Sequence, residues 1–279
     1  VSSATQSIAL KKSGMGSSFE AFAGLFLRDL RVLSRELVPF VLRVAMQPLL
    51  FLFVFTYVIP HTNTSTPMTS GSGPNFATIL LPGLMAVAIM FSGIAGVALP
   101  LASEFGVTRE IDDRVMCPLP VYAVAVEKVC FSALQSIFAA LLIIPLAYLV
   151  PSTPVHAHVA NWPLLVAVLV LASLNAGALG LAIGSNVKPQ QIGLVFSIVV
   201  IPITFLGCVY YPWAALKAIR WLQIAVLVNP IVYMSEGLRA ALTPSIPSMN
   251  PWIIVAALLV SLGLLWWLGI KGFLRRVIS

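Results

Sequence analysis

Charge is what this 279-residue sequence has least of: only 9% of its residues are Asp, Glu, Lys or Arg, against about 25% in an ordinary soluble domain. Hydrophobic residues make up 59%, and the mean hydropathy is +1.01. The few charges are clustered, and long apolar runs separate the clusters. A soluble globular domain is thereby excluded, because the remaining polar residues could not cover those runs. Cysteine is scarce too. Cys117, Cys130 and Cys208 lie far apart, with no CxxC and no even-numbered framework, so they read as small apolar fillers.

Other absences narrow the function. The apolar runs hold almost no ionisable groups, which disfavours a proton or sodium relay. No GxxxxGK[ST] occurs; the nearest glycine cluster, Gly14-Met15-Gly16, lacks the lysine, so no phosphate-cradling loop is expected. His61, His156 and His158 fall between runs with no carboxylate near in sequence, and neither a metal site nor a catalytic constellation is expected. The net charge of +7 reports orientation in a membrane, not affinity for nucleic acid.

What is present orders itself along the chain. Residues 1–18 are polar and rich in Gly and Ser, and read as a mobile tail. In residues 19–36 the helical period gathers Phe19, Phe22, Phe26, Leu30 and Leu33 on one face, with Glu20, Arg28, Arg31 and Arg35 opposite. That pattern predicts an amphipathic helix at the membrane surface, its arginines near anionic headgroups. The first long apolar run begins only near Val38, and no small-residue cleavage site follows it, so no cleavable signal is expected.

A spanning helix needs about 20 apolar residues. The candidates are 38–59, 76–100, 129–150, 162–184, 191–209 and 252–270, within one membrane unit of residues 37–279. Pro48, Pro82, Pro145 and Pro202 fall inside them, which membrane helices tolerate when neighbours satisfy the freed backbone groups. Lys and Arg cluster in the N-terminal segment, in the second and fourth connections and in the tail. The first and third connections carry none, and only the fifth, with Lys217, Arg220 and Arg239, breaks the alternation. Six spans with both termini in the cytoplasm are therefore predicted. The connection 210–250 contains an apolar stretch broken at Asn229-Pro230. A further span there would carry the basic tail outside, so a re-entrant hairpin is expected.

The second connection concentrates charge. Glu104, Arg109, Glu110, Asp112, Asp113 and Arg114 are followed by Pro118 and Pro120, and Glu127-Lys128 come before the third candidate span. On charge alone two readings stand: a salt-bridged docking surface for another protein, or a solvated loop capping two spans.

This layout resembles the permeases of type-2 ATP-binding-cassette (ABC) exporters. Glu104-Phe105-Gly106, Arg109-Glu110, Pro118 and Lys128 match the family's segment after the second span. The stretch Asn229-Pro230-Ile231-Val232-Tyr233, with Glu236, Gly237 and Arg239, resembles its C-terminal signature, preceded by Phe205-Leu206-Gly207 and Tyr211-Pro212. Departures are Asp112-Asp113-Arg114, Val121-Tyr122 and Leu216-Lys217, where relatives often carry other residues. The resemblance covers the chain in order, and is nearest in look to daunorubicin-resistance-type drug or lipid exporters.

The resemblance implies an all-α permease of the cell (inner) membrane, with six spans, an interfacial helix and a re-entrant hairpin. It implies that segment 103–118 couples to a separate ATPase subunit, present in two copies, which binds the ATP and magnesium that this chain does not. It also implies a second permease subunit, identical or different, and a hydrophobic or amphipathic cargo. Tyr57, Phe205 and Tyr210 are candidate path-lining groups; aromatic residues suit an amphipathic substrate and are equally common at membrane interfaces. Glu236 and Arg239 either shield charge as an i,i+3 pair or pin the hairpin. Rival readings are a glycan exporter on the same fold, a membrane scaffold without transport, and a membrane enzyme.

Overall fold

Glu36 marks the first turning point of the chain. The helix α1 (Met15–Arg35) ends just before it, and α2 (Leu37–Phe53) departs at 74°. The cause is local: Pro39 has no N–H to give the carbonyl of Arg35, and its ring crowds that turn. The computed structural model describes residues 15–58, 76–108, 121–149, 159–244 and 246–278, and every regular element among them is helical. On α1, Phe22, Phe26, Leu30 and Leu33 are half-buried, while Glu20, Arg28, Arg31 and Arg35 are exposed. Phe26 packs edge-on against Phe131, with ring centroids 6.0 Å apart. The amphipathic face therefore seats on the helix that carries Phe131.

Four long helices follow the elbow: α3 (Phe76–Ser103), α4 (Val121–Leu149), α5 (Trp162–Asn186) and, at the end, α9 (Pro251–Ile278). All four are long and apolar enough to cross a membrane, and the bent pair α1–α2 makes up to five if it counts as one span. Between α5 and α9 lie α6 (Pro189–Phe205), α7 (Arg220–Ala225) and α8 (Pro230–Leu242). The apolar helix α6 is shorter than the four, because a π turn at Phe196–Val200 and Pro202 interrupt it before it ends at Phe205. The chain then turns at Cys208, whose φ of 52° lies in the left-handed region.

Helix α3 is the centre of the bundle. Leu80, Leu81, Leu84, Met85, Ile89 and Ile94 are all buried on it. Its neighbours approach closely through small residues, as helices in lipid do when packing rather than water drives association. A Cβ on Gly93 would lie 2.4 Å from the Cβ of Ala176 on α5, and one on Gly83 would lie 1.9 Å from the Val209 carbonyl oxygen. Hydroxyls and amides add cross-links. Ser132 donates to the Gly93 carbonyl at 2.7 Å, and Asn175 donates to Leu258 on α9 at 3.0 Å. By contrast, α9 exposes Trp252, Ile253, Leu259, Val260, Leu264 and Trp267, the outer face expected of a helix against lipid tails.

Helix α4 starts eight residues before the candidate span 129–150, at Val121. Glu127 and Lys128 therefore lie inside the helix, where they are 0% and 4% exposed.

Candidate functional site

Two polar constructions stand out in this apolar bundle. The first lies beneath the elbow. A cavity of about 770 Å³ opens between α1–α2 on one side and α3 and α4 on the other, with Phe196 of α6 at its edge. One end is charged. Arg28 and Asp29 come from α1, Glu36 from the elbow and Arg43 from α2. Glu104 and Lys128 come from the π turn after α3 (Glu104–Thr108) and from α4. The Lys128 ammonium bonds the Glu104 carboxylate at 2.7 Å, and Arg28 lies 3.4 Å from Asp29. The other end is apolar, walled by Pro48, Val87, Ala88 and Phe91. Between the ends sit Ser92 and Gln135. Ser92 is 7% exposed, and its hydroxyl has no hydrogen-bond partner among the described residues.

The local sequence explains this shape. Pro100 frees a carbonyl near the end of α3, and the helix widens into its π turn four residues later, a device common at functional positions. Pro48 does the same on α2, opposite. Arg43 faces the cavity from within α2 and makes no ion pair among the described residues. Sequence reasoning did not single out Arg43, Ser92 or Phe91 as site residues. A lone arginine inside an apolar run was the signal available.

The second construction gathers the C-terminal signature. Asn229 caps α8, accepting from the Ile231 N–H at 3.0 Å and donating to the Ile203 carbonyl at 2.6 Å; Pro230 fills the first helical position, where its missing N–H costs nothing. Tyr233 donates to the Leu227 carbonyl at 2.8 Å. Gly237 leaves room for Val168 and Ile254. Glu236 and Arg239 form an ion pair, each 0% exposed. The Glu236 carboxylate also accepts from the Trp213 N–H at 2.9 Å and the Met249 N–H at 3.3 Å, and Arg239 donates to the Cys208 carbonyl at 3.2 Å. Backbone groups of Cys208, Trp213 and Met249 thus close on one pair of charges.

The remaining sequence-predicted residues divide. Glu104 is 4% exposed and turned into the protein toward Lys128, while Arg109, Glu110, Asp112, Asp113 and Arg114 lie outside the described residues. Arg31 and Arg35 are exposed on α1, away from the cavity that Arg28 lines. Phe205 and Tyr210 come together, with centroids 5.9 Å apart, and Tyr210 also meets Phe51 at 5.2 Å. Tyr57 instead stacks on Phe53 at 5.3 Å. None of the three aromatics lines the cavity beneath the elbow.

Comparison with known proteins agrees with this architecture. A family model described as ABC-2 type transporter matches residues 20–243, from α1 to the end of the signature helix. The chain is 26% identical over 200 residues to the inner membrane transport permease YadH of Escherichia coli K12, covering 70% of this chain and 75% of that protein. The Shigella flexneri protein of the same name matches to the same extent. With the family model spanning most of its length and its helices apolar enough to cross a bilayer repeatedly, the chain belongs to the ABC-2 type transporter family and is a multi-pass transmembrane permease of an ABC transporter.

Proposed function

We propose that this permease exports a hydrophobic or amphipathic small molecule or lipid, driven by ATP hydrolysed on a separate ATPase subunit. The observation that carries the cargo class is the cavity beneath the elbow, apolar at one end and charged at the other. In this reading two permease subunits and two ATPase subunits form the exporter, in the inner membrane, the location that the name of the E. coli relative gives for that protein.

The same reading sets the topology. The polar tail of residues 1–18, whose last four residues open α1, is cytoplasmic, α1 lies in the membrane surface, and six spans leave both termini in the cytoplasm. Here α2 and α6 supply the two spans beyond the four long helices, and 210–250 dips into the outer leaflet as a re-entrant hairpin clasped by Glu236 and Arg239. Lys and Arg alternation between connections supports this orientation. Segment 103–118 is the contact for the ATPase. Its dense mixed charge supports that role, since complementary charges fix register between partners.

The experiment replaces Glu110 and Asp112 with Lys and follows the ATPase through purification. The expected outcome is a permease that inserts normally but loses its ATPase and no longer exports, because like charges would then face each other across the contact. The paired control, Lys11 and Lys12 replaced with Glu in the tail, is expected to change little. Retention of the ATPase with full cargo-stimulated turnover by the Glu110/Asp112 variant would remove these side chains from the contact.

A further inference from the structure

Within the cavity beneath the elbow, polar groups follow one another in a definite order of depth. Along α2, Glu36 comes first, at the elbow; Arg43 is two turns deeper, about 10 Å along the axis, and Pro48 lies deeper still. Along α3, which runs the opposite way, Glu104 marks the outer end, Ser92 the middle and Val87 the apolar end. From Val87 to Glu104 is roughly 26 Å of helix, long enough to hold an extended chain.

Charge at the outer end balances, three cationic groups against three anionic ones. Four of the six are engaged with each other, as Glu104 with Lys128 and Arg28 with Asp29. That leaves one carboxylate, Glu36, outside one guanidinium, Arg43. Neither makes an ion pair among the described residues. A buried hydroxyl without a partner, Ser92, follows next. Leaving such a group unsatisfied is costly, and a ligand that brings a hydrogen-bonding atom to it relieves that cost.

We propose that this cavity binds a single-chain zwitterionic phospholipid-type amphiphile as the permease's cargo. The distal amine of its headgroup meets Glu36. The phosphate, nearer the chain, meets Arg43, where a planar guanidinium takes two phosphate oxygens at once. The linking hydroxyl or ester meets Ser92, and the hydrocarbon chain runs past Phe91 toward Val87 and Pro48. The order of protein groups is the order of groups along such a molecule. A volume of about 770 Å³ falls within the roughly 300–1,000 Å³ of sites for one drug-sized ligand, which favours one chain over two. The site lies inside one protomer, apart from the aromatic cluster of Phe51, Phe205 and Tyr210.

The proposal rests on the exporter reading only in naming the occupant as cargo. The test uses the full-length chain, purified with its ATPase in a non-ionic detergent, and reads adducts per protomer by native mass spectrometry. Two probes are compared: palmitoyl lysophosphatidylethanolamine, and hexadecyl phosphate, which lacks the amine. One adduct of either probe per protomer is expected. Arg43→Gln should weaken both about tenfold, as loss of a charge-assisted contact to phosphate does. Glu36→Gln should weaken only the amine-bearing probe, and its unchanged binding of hexadecyl phosphate shows that it has folded. Ala95→Phe, which fills the middle of the cavity, should remove both adducts while elution stays monodisperse.

Equal affinity in all variants would mark a surface lipid and overturn the site. Equal weakening of both probes by Glu36→Gln would overturn the order of the headgroup. The lysophospholipid is further expected to stimulate ATP turnover, and Glu36→Gln to abolish that stimulation; binding without stimulation would overturn the cargo assignment. An ATPase that never co-purifies, alongside an intact split between the two probes, would sink the exporter reading and leave the site standing.

Discussion

Glu236 and Arg239 sit three residues apart on one helix, whereas Glu104 and Lys128 come from two different helices and meet across the wall of a cavity. Both pairs are buried. The difference lies in what surrounds them. The C-terminal pair is wrapped in backbone groups, with the Trp213 and Met249 N–H groups on the carboxylate and the Cys208 carbonyl on the guanidinium. Such a pair is a fastening: its charges collect the backbone at Cys208, Trp213 and Met249. The pair under the elbow borders open volume and other charges, so it shapes a surface that a ligand can meet.

Breaking the fastening should have the largest effect. Arg239→Ala leaves a buried carboxylate without its counter-charge, which is expected to cost about 3–5 kcal/mol; thermal unfolding in detergent and the yield of inserted protein measure it. The double change Glu236→Leu with Arg239→Met removes both charges, and should restore much of that loss. Stability equal to wild type in Arg239→Ala would mean that the pair does not hold these segments together.

The cavity pair should be more forgiving, because water or a ligand can reach what is left behind. Lys128→Met is expected to destabilise by about 1.5–3 kcal/mol, the usual worth of a hydrogen bond to a charged group, and to reduce transport by more than the lost protein explains. The exchanged pair, Glu104→Lys with Lys128→Glu, should recover stability. Recovery of stability without transport would sharpen the contrast, by showing that the polarity of the cavity end matters beyond the pair itself. The smallest effect is expected at Asn229→Ala. It removes a helix cap and the bond to the Ile203 carbonyl, at about 1 kcal/mol, read as a lower midpoint of unfolding with transport retained.

Part of this was legible in residue order alone. The amphipathic face of α1 follows from the spacing of Phe22, Phe26, Leu30 and Leu33, and the structure half-buries those four residues. Asn229-Pro230 marks a break in the sequence, and α8 begins there. The short reach of α6 was less legible, because hydropathy over 191–209 does not register where a π turn and Cys208 end the helix. The cavity was not legible at all. Its walls come from α1, α2, α3, α4 and α6, and no local window contains them.

The sequence by itself determined that this chain lives in a bilayer and where most of its helices lie, because hydropathy and helical period are properties of neighbours along the chain. It also placed Glu236 and Arg239 on one face, since a spacing of three residues does so in any helix. Only the tertiary structure decided which charges meet across helices: that Lys128 reaches Glu104, that Arg43 faces an open volume, and that Glu236 also accepts from Met249. Those contacts depend on how small residues let α3 approach its neighbours and on the bend at the elbow. Packing in three dimensions sets these, and no periodicity records them.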